Sequence, residues 1–203
     1  NGDGKYVLPT GDEITVTVSG SVKNVWETEA GNNVVESYTV EHAENYNSIQ
    51  ALPGKLEITP KEVTLTSQGD TKPYDGSALT KPGVSGTDGF VKGEVTVEAT
   101  GSQTQVGTSK NTITVTAVEG GNYDARNYRI TPNEGDLVVT ASEKAIVIKA
   151  NSNSWTYDGA EHSDGGFTIT YDNVEVPRNG DGKYVLPTGD EITVTVSGSV
   201  KNV

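Results

Sequence analysis

The sequence predicts an all-β protein assembled from small antiparallel modules, on three observations. Val and Thr alternate with polar residues, as in Glu13-Ile14-Thr15-Val16-Thr17-Val18, which is the period-2 pattern of a half-buried strand. The 24 glycines and 8 prolines punctuate these runs without a collagen-like period and read as turns. Runs with a 3.6-residue period are missing, and the nearest helical candidate is the short stretch from Glu41 to Tyr46. Hydrophobic residues make up 33% of the chain, thin for one large core but adequate for several small ones.

A long-range identity organises the 203 residues. Residues 1–25 read NGDGKYVLPTGDEITVTVSGSVKNV, and residues 179–203 read the same letter for letter, an offset of 178 positions. An identical copy at a fixed distance is the signature of an array protein. The chain is therefore expected to be one repeat unit plus the start of the next, a window onto a longer repetitive polypeptide.

Taken in order, Glu13 to Val18 is the first expected strand, closed by Ser19-Gly20. Gly31-Asn32-Asn33 turns the chain into a second strand, Val34 to Val40, and Gly54 precedes a third, Lys55 to Thr59. A new pattern starts at Lys61: the strand Lys61 to Leu65 leads, thirteen residues after the lysine, to Tyr74-Asp75-Gly76. Lys144 to Ile148 leads, again thirteen residues on, to Tyr157-Asp158-Gly159. Glu94-Val95-Thr96-Val97 reaches Gly101 as Glu191-Ile192-Thr193-Val194 reaches Gly198, seven residues after each glutamate. Asn127-Tyr128 precedes Gly135-Asp136-Leu137 much as Asn45-Tyr46 precedes Gly54-Lys55-Leu56. The unit thus holds two diverged modules. Residues 61–143 form a complete one, residues 144–203 the first part of the other, and residues 1–60 the remaining part of that other type. Val174 to Arg178 and Lys183 to Leu186 flank Asn179-Gly180-Asp181-Gly182, a hairpin signal. The links at Pro60-Lys61 and between Thr140 and Lys144 are too short for a flexible hinge, so the modules are expected to stack end to end as a rod.

The order of these landmarks resembles the YDG and MBG repeats of bacterial surface adhesins: Tyr-Asp-Gly after an opening strand, Gly107 ahead of Asn111 to Val115, then Asn-Tyr and a final Gly-x-Leu strand. The likeness covers residues 61–143 and, once its two parts are joined, the second module. It implies an extracellular, cell-wall-associated stalk of immunoglobulin-like or β-grasp-like modules. Adhesins of this kind sometimes lock their domains with a Lys–Asn isopeptide bond assisted by a carboxylate. Lys61, Glu94 and Asn127 recur in type and order as Lys144, Glu191 and Asn45, so these six are the candidates for it. A buried lysine could lose its charge and attack an amide polarised by a protonated acid. The plainer reading leaves both lysines and both Asn-Tyr pairs as ordinary surface and turn residues.

Composition bounds the function. Lys+Arg 15 against Asp+Glu 28 gives a net charge of −13, which argues against a nucleic-acid partner and against docking on anionic membrane. No apolar run approaches the length of a membrane span. The absence of cysteine excludes thiol catalysis and disulfide stapling. With Gly182 at the glycine position of a calcium loop, Pro177 and Thr188 fall where two key ligands belong, so Asn179 to Gly182 and its copy Asn1 to Gly4 read as turns rather than a calcium site. His42 and His162, the only imidazoles, are expected to face solvent without metal or triad partners. No cofactor, metal or catalytic machinery is expected. Tyr74, Tyr157 and Trp155 could form a glycan-stacking platform, since a flat aromatic face packs on sugar rings. Against that, Asp-Gly makes a tight turn and Tyr anchors it on the core.

The expected function is a stalk or spacer holding a distal binding domain away from a bacterial cell wall, its partners being neighbouring repeats. One alternative is weak multivalent binding of host glycan or mucin. Another is a surface polymer whose modules are completed by strands from a neighbouring chain.

Overall fold

The computed structural model describes residues 5–201, so the Asn1 to Gly4 copy of the hairpin turn lies outside the described residues. The chain is all-β. Its strands are β1 (Lys5–Val7), β2 (Glu13–Ser19), β3 (Val34–Val40), β4 (Lys61–Ser67), β5 (Asp70–Pro73), β6 (Val84–Ser85), β7 (Val95–Ala99) and β8 (Gly107–Lys110). They continue with β9 (Ile113–Ala117), β10 (Tyr128–Asn133), β11 (Asp136–Thr140), β12 (Ile146–Ala150), β13 (Phe167–Tyr171), β14 (Val174–Glu175), β15 (Tyr184–Val185) and β16 (Glu191–Ile192). Helix is confined, among the described residues, to 3-10 turns of three residues, one of which, Ala43–Asn45, replaces the helical candidate at Glu41 to Tyr46. Two compact units divide the chain.

The first unit comprises Asn1–Leu65, Gly86–Thr96 and Thr116–Thr131. Its antiparallel sheet runs β1-β2-β3, with Tyr6 opposite Ile14, Val16 opposite Tyr38, and a bulge between Thr17 and Val18. Gly11, at φ +98, lets the turn between β1 and β2 close, with its N–H donating to Leu8 O at 2.8 Å. The strand expected at Lys55 to Thr59 does not form. Side chains take the place of a partner strand there: the Asn32 amide accepts from Leu56 N at 2.6 Å and donates to Leu56 O at 2.9 Å, while Thr28 Oγ1 accepts from Ile58 N at 3.0 Å. The segment belongs to no backbone ladder. On β4 the alternation holds, with Val63 and Leu65 buried. Gly86 (φ +86) and Gly89 press against it so closely that a Cβ on Gly86 would sit 1.9 Å from Thr64 O. Phe90, buried, packs on Tyr128 at 5.0 Å between ring centroids and on Tyr123 at 6.2 Å.

The second unit comprises Thr66–Ser85, Val97–Val115 and Pro132–Val203. Strand β11 is its centre, parallel to β5 and antiparallel to β8, and it carries the buried Leu137 and Val139 against Leu79 and Tyr74. A second sheet, β12-β13-β14, packs Ile169, Tyr171 and Val176 against Leu186. Only the first part of the expected hairpin arm Val174 to Arg178 is a strand, and it pairs with β13; Arg178 alone bridges to Tyr184. The Asn179 side chain builds the turn, its Oδ1 accepting from Asp181 N at 3.0 Å and Lys183 N at 2.9 Å. β5, β6, β8, β10 and β13 stand where no strand was expected: the first three are runs of four residues or fewer, whereas β10 and β13 are longer and Phe167 to Tyr171 carries the period-2 alternation.

A backbone latch at an asparagine recurs. Asn111 is fully buried, donates its backbone N–H to Gly135 O at 2.8 Å, and spreads its side-chain amide over Gln68 O at 2.9 Å and Lys81 O at 2.8 Å. Gly101 lies so near that a Cβ there would come within 2.4 Å of Asn111 Cα. In the first unit Asn33 donates to Gly54 O at 3.2 Å, and a Cβ on Gly20 would come within 2.9 Å of Asn33 Cα. In each case a backbone bond from the asparagine N–H to a glycine carbonyl joins two non-adjacent segments, and Gly101 or Gly20 stands where a side chain would collide with the asparagine.

Candidate functional site

In the first unit, the turn before β7, the start of β4 and the 3-10 turn Ala125–Asn127 converge on a cleft of about 530 Å³. Lys61, Glu94 and Asn127 all line it, together with Trp26 and Tyr128. The Tyr128 hydroxyl donates to Glu94 Oε2 at 2.5 Å, and burial together with that carboxylate pushes the phenol above its usual pKa. Tyr46 repeats the arrangement, donating to Asp12 Oδ2 at 2.5 Å; this bond and a second from Thr10 hold the Asp12 carboxyl below its usual range. In both places the tyrosine that follows an Asn caps the carboxylate that opens a strand.

Asn127 is committed elsewhere. Its Oδ1 accepts from Val25 N at 2.9 Å and its Nδ2 donates to Asn24 Oδ1 at 3.0 Å. Beside this pair the Arg126 guanidinium lies 3.7 Å from the Trp26 ring centroid while its nitrogens grip Asp124, whose carboxyl is held down to about 2. Lys61 is exposed. The cleft thus presents hydrogen-bonding, aromatic and charged groups.

The other candidate set is dispersed. Lys144 sits 3.8 Å from Asp172 and 5.5 Å from the centroid of Tyr171, Glu191 pairs with Lys183 at 2.9 Å, and Asn45 is exposed in its 3-10 turn in the first unit.

The two Tyr-Asp-Gly turns share their local chemistry. Asp75 Oδ1 accepts from Ser77 N and Asp158 Oδ1 from Ala160 N, both at 2.9 Å, with Gly76 at φ +84 and Gly159 at φ +80. Lys72 adds a bond to Asp75 Oδ1 at 2.7 Å and holds that carboxyl well below the usual range. Their surroundings differ. Tyr74 is half-buried against Leu79 and Leu137 and donates to Asp190 Oδ1 at 3.1 Å; burial, then this carboxylate, raises its pKa. Tyr157 is 68% exposed.

Trp155, the third aromatic candidate, stacks on His162 with ring centroids 5.0 Å apart and an interplanar angle of 11°. His162 is thus half-buried rather than solvent-facing, its Nε2 lying 2.9 Å from Asp158 Oδ1, whereas His42 is exposed at φ +52. Trp155, Tyr157 and His162 line a cleft of about 290 Å³.

The stretch from the start of β4 through β10 matches a known family. Residues 59–135 are a YDG domain. This YDG domain contains the Tyr74 turn, the Glu94–Tyr128 pair and Asn111. No curated protein and no solved structure matches the chain. Two features of the site had no signal in the sequence: the Trp26–Arg126 contact and the Asn24–Asn127 bond join residues far apart in the chain, and nothing in either local pattern names its partner. Asn111 could have been found, because it and Asn33 both stand shortly before a Thr/Val or Val/Val run and after a Gly.

Proposed function

We propose that the chain is a stalk segment of a bacterial surface adhesin, in which YDG-type modules repeat in tandem and hold a distal binding domain away from the cell wall. The observation that carries this reading is the recurring latch, Gly20–Asn33–Gly54 beside Gly101–Asn111–Gly135. The Asp12–Tyr46 and Glu94–Tyr128 pairs recur in the same sense. A polypeptide that reuses one internal framework, and repeats a stretch of its own sequence, behaves as a quasi-one-dimensional array whose stability is local to each module and its neighbours. The net charge of −13 keeps such an array hydrated and discourages lateral sticking. Short links between modules convert stacking into length. Small-angle scattering of a protein carrying two consecutive repeat units tests this: each module should add about 35–45 Å, the span of a strand of about ten residues plus its turns. A compact profile would sink the stalk reading.

A second reading has its own support. Trp155 and Tyr157 are 42% and 68% exposed on one cleft, a geometry that admits stacking on a sugar ring. Weak sites of this kind gain avidity by repetition. Titration of the chain with mucin-type oligosaccharides, followed by Trp fluorescence, should give a saturable change that Trp155→Ala removes; a flat titration ends that reading.

A further inference from the structure

We propose that the Lys61–Glu94 cleft is a socket for the Tyr157-Asp158-Gly159 turn of another copy of this chain. The inference rests on the tandem reading above and goes further, because it assigns the Tyr-Asp-Gly turn the role of a plug between modules.

The second unit contains a seated example. There the Tyr74-Asp75-Gly76 turn lies on the turn before β16: Tyr74 donates to Asp190, and a Cβ on Gly76 would fall 2.1 Å from Thr188 O and 2.8 Å from Thr188 Cα. Backbone meets backbone, so only glycine fits. Lys144 lines the same cleft as Tyr74 and Thr188.

The Lys61–Glu94 cleft has the same parts. Lys61 opens β4 as Lys144 precedes β12, and a glycine turn leads into the next strand in each case, with Gly93 at φ +85 and Gly189 at φ +90. In the fold Glu94 takes the place of Asp190, the copy of Asp12, rather than that of Glu191 with which the sequence order aligns it, because both Asp12 and Glu94 are capped by an Asn-Tyr tyrosine. Tyr128 uses one Glu94 oxygen, and Oε1 accepts no hydrogen bond among the described residues. Lys61 has no ion pair among the described residues, and Val91 on the cleft wall is 52% exposed. No Tyr-Asp-Gly occurs in residues 1–60, so those residues do not supply a plug.

The Tyr157 turn is the matching free plug. Its Asx bond and glycine conformation already equal those of the seated turn, and a Cβ on Gly159 would meet nothing within 4 Å. A preformed turn loses little entropy on docking. Tyr157 Oη would donate to Glu94 Oε1, and Asp158 would come near Lys61.

The experiment uses the 203-residue chain itself. Linked modules experience effective concentrations in the millimolar range, so a joint of this kind should associate in trans on the order of 1 mM or tighter. Sedimentation equilibrium should show concentration-dependent association, and the amide signals of Val91, Gly93 and Glu94 in labelled chain should shift when unlabelled chain is added. Tyr157→Phe removes one hydrogen bond to a carboxylate and should weaken association about tenfold. Gly159→Val should abolish it; a side chain at φ +80 also strains the free chain, so the strain-free Tyr157→Phe remains the deciding variant. No association at about 1 mM, or association that Tyr157→Phe leaves unchanged, overturns the socket. Extended two-unit scattering combined with unchanged association in the variants would retain the stalk and discard only this joint.

Discussion

Arg126 stacks its guanidinium on the Trp26 indole at 3.7 Å while its own carboxylate partner, Asp124, sits two residues away. Asp124 orients the guanidinium, and the ring receives it already aligned. This contact and the Asn24–Asn127 bond join the 3-10 turn Val25–Glu27 to the 3-10 turn Ala125–Asn127. At a site where Trp26 is 39% exposed, a double-mutant cycle of Trp26→Ala and Arg126→Ala should return a coupling of about 0.5–1 kcal/mol in denaturant unfolding. A coupling indistinguishable from zero would reduce the contact to surface coincidence.

Asn111→Ala should be the most damaging polar truncation in the YDG domain. It removes two side-chain bonds and leaves the Gln68 and Lys81 carbonyls without that donor, at a cost of about 2–4 kcal/mol. Asn33→Ala should cost less, since Asn33 is half-buried rather than fully enclosed. Equal losses in the two variants would contradict this account of the latch.

Gly76→Ala and Gly159→Ala separate backbone strain from packing. Both glycines sit near φ +80, so each alanine carries roughly 1 kcal/mol of left-handed strain. At Gly76 the new methyl also collides with Thr188, whereas at Gly159 it points into open space. In the isolated chain Gly76→Ala should therefore cost clearly more, read as a larger fall in the denaturation midpoint. The reverse order would show that the turn around Gly76 does not rest on Thr188.

Acid should weaken the fold over a defined window. Asp124 is held down to about 2 from an ordinary 3.8, first by Arg126, and Asp75, Asp70 and Asp12 are lowered by Lys72, Lys81 and Tyr46 respectively. Folded pKa values below the unfolded ones mean that these groups stabilise fully above the unfolded pKa and lose that contribution as pH falls through the folded values. The thermal midpoint should decline between about pH 4 and pH 2, and Asp124→Asn should flatten part of that decline. Tyr128, Tyr74 and Tyr46 are shifted upward, so their contribution is complete below about pH 10 and fades above it. A midpoint that stays level from pH 5 to pH 2 would contradict the assigned pairings.

The Lys61 and Asn127 geometry predicts no isopeptide bond, because the amide is hydrogen-bonded at both ends and the lysine is exposed. Intact mass of the denatured chain should equal the calculated mass. A deficit of one ammonia that disappears in Lys61→Ala would reverse this conclusion.

Much of the site's local chemistry could be read from the residues. Asp-Gly announced both turns around Gly76 and Gly159, and the lysine, glutamate and Asn-Tyr order brought Lys61, Glu94 and Asn127 onto one list before the fold placed them on one cleft. The partner of Arg126 could not be read, because a cation–π contact leaves no periodic mark in either segment. Nor could the failure of Lys55 to Thr59 to join a sheet: its alternation suits a ladder, and only the positions of Asn32 and Thr28 divert it.

The duplicated segment separates the two levels within one molecule. Tyr6 pairs with Ile14 and Tyr184 with Ile192, in the same register, and each glycine turn closes with the same bond, Gly11 to Leu8 and Gly189 to Leu186. The hairpin is therefore set by sequence alone, through positive φ at one glycine and a short-range closure of little entropic cost. Strand length and burial are not. β2 runs seven residues beside β3, whereas β16, from identical letters, runs only two. Leu186 is buried beneath Ile169 and Tyr171, while Leu8, lacking that sheet, is only half-buried. A strand extends only where another offers its N–H and C=O groups, and a leucine is buried only where other apolar side chains surround it, so those outcomes belong to the tertiary structure.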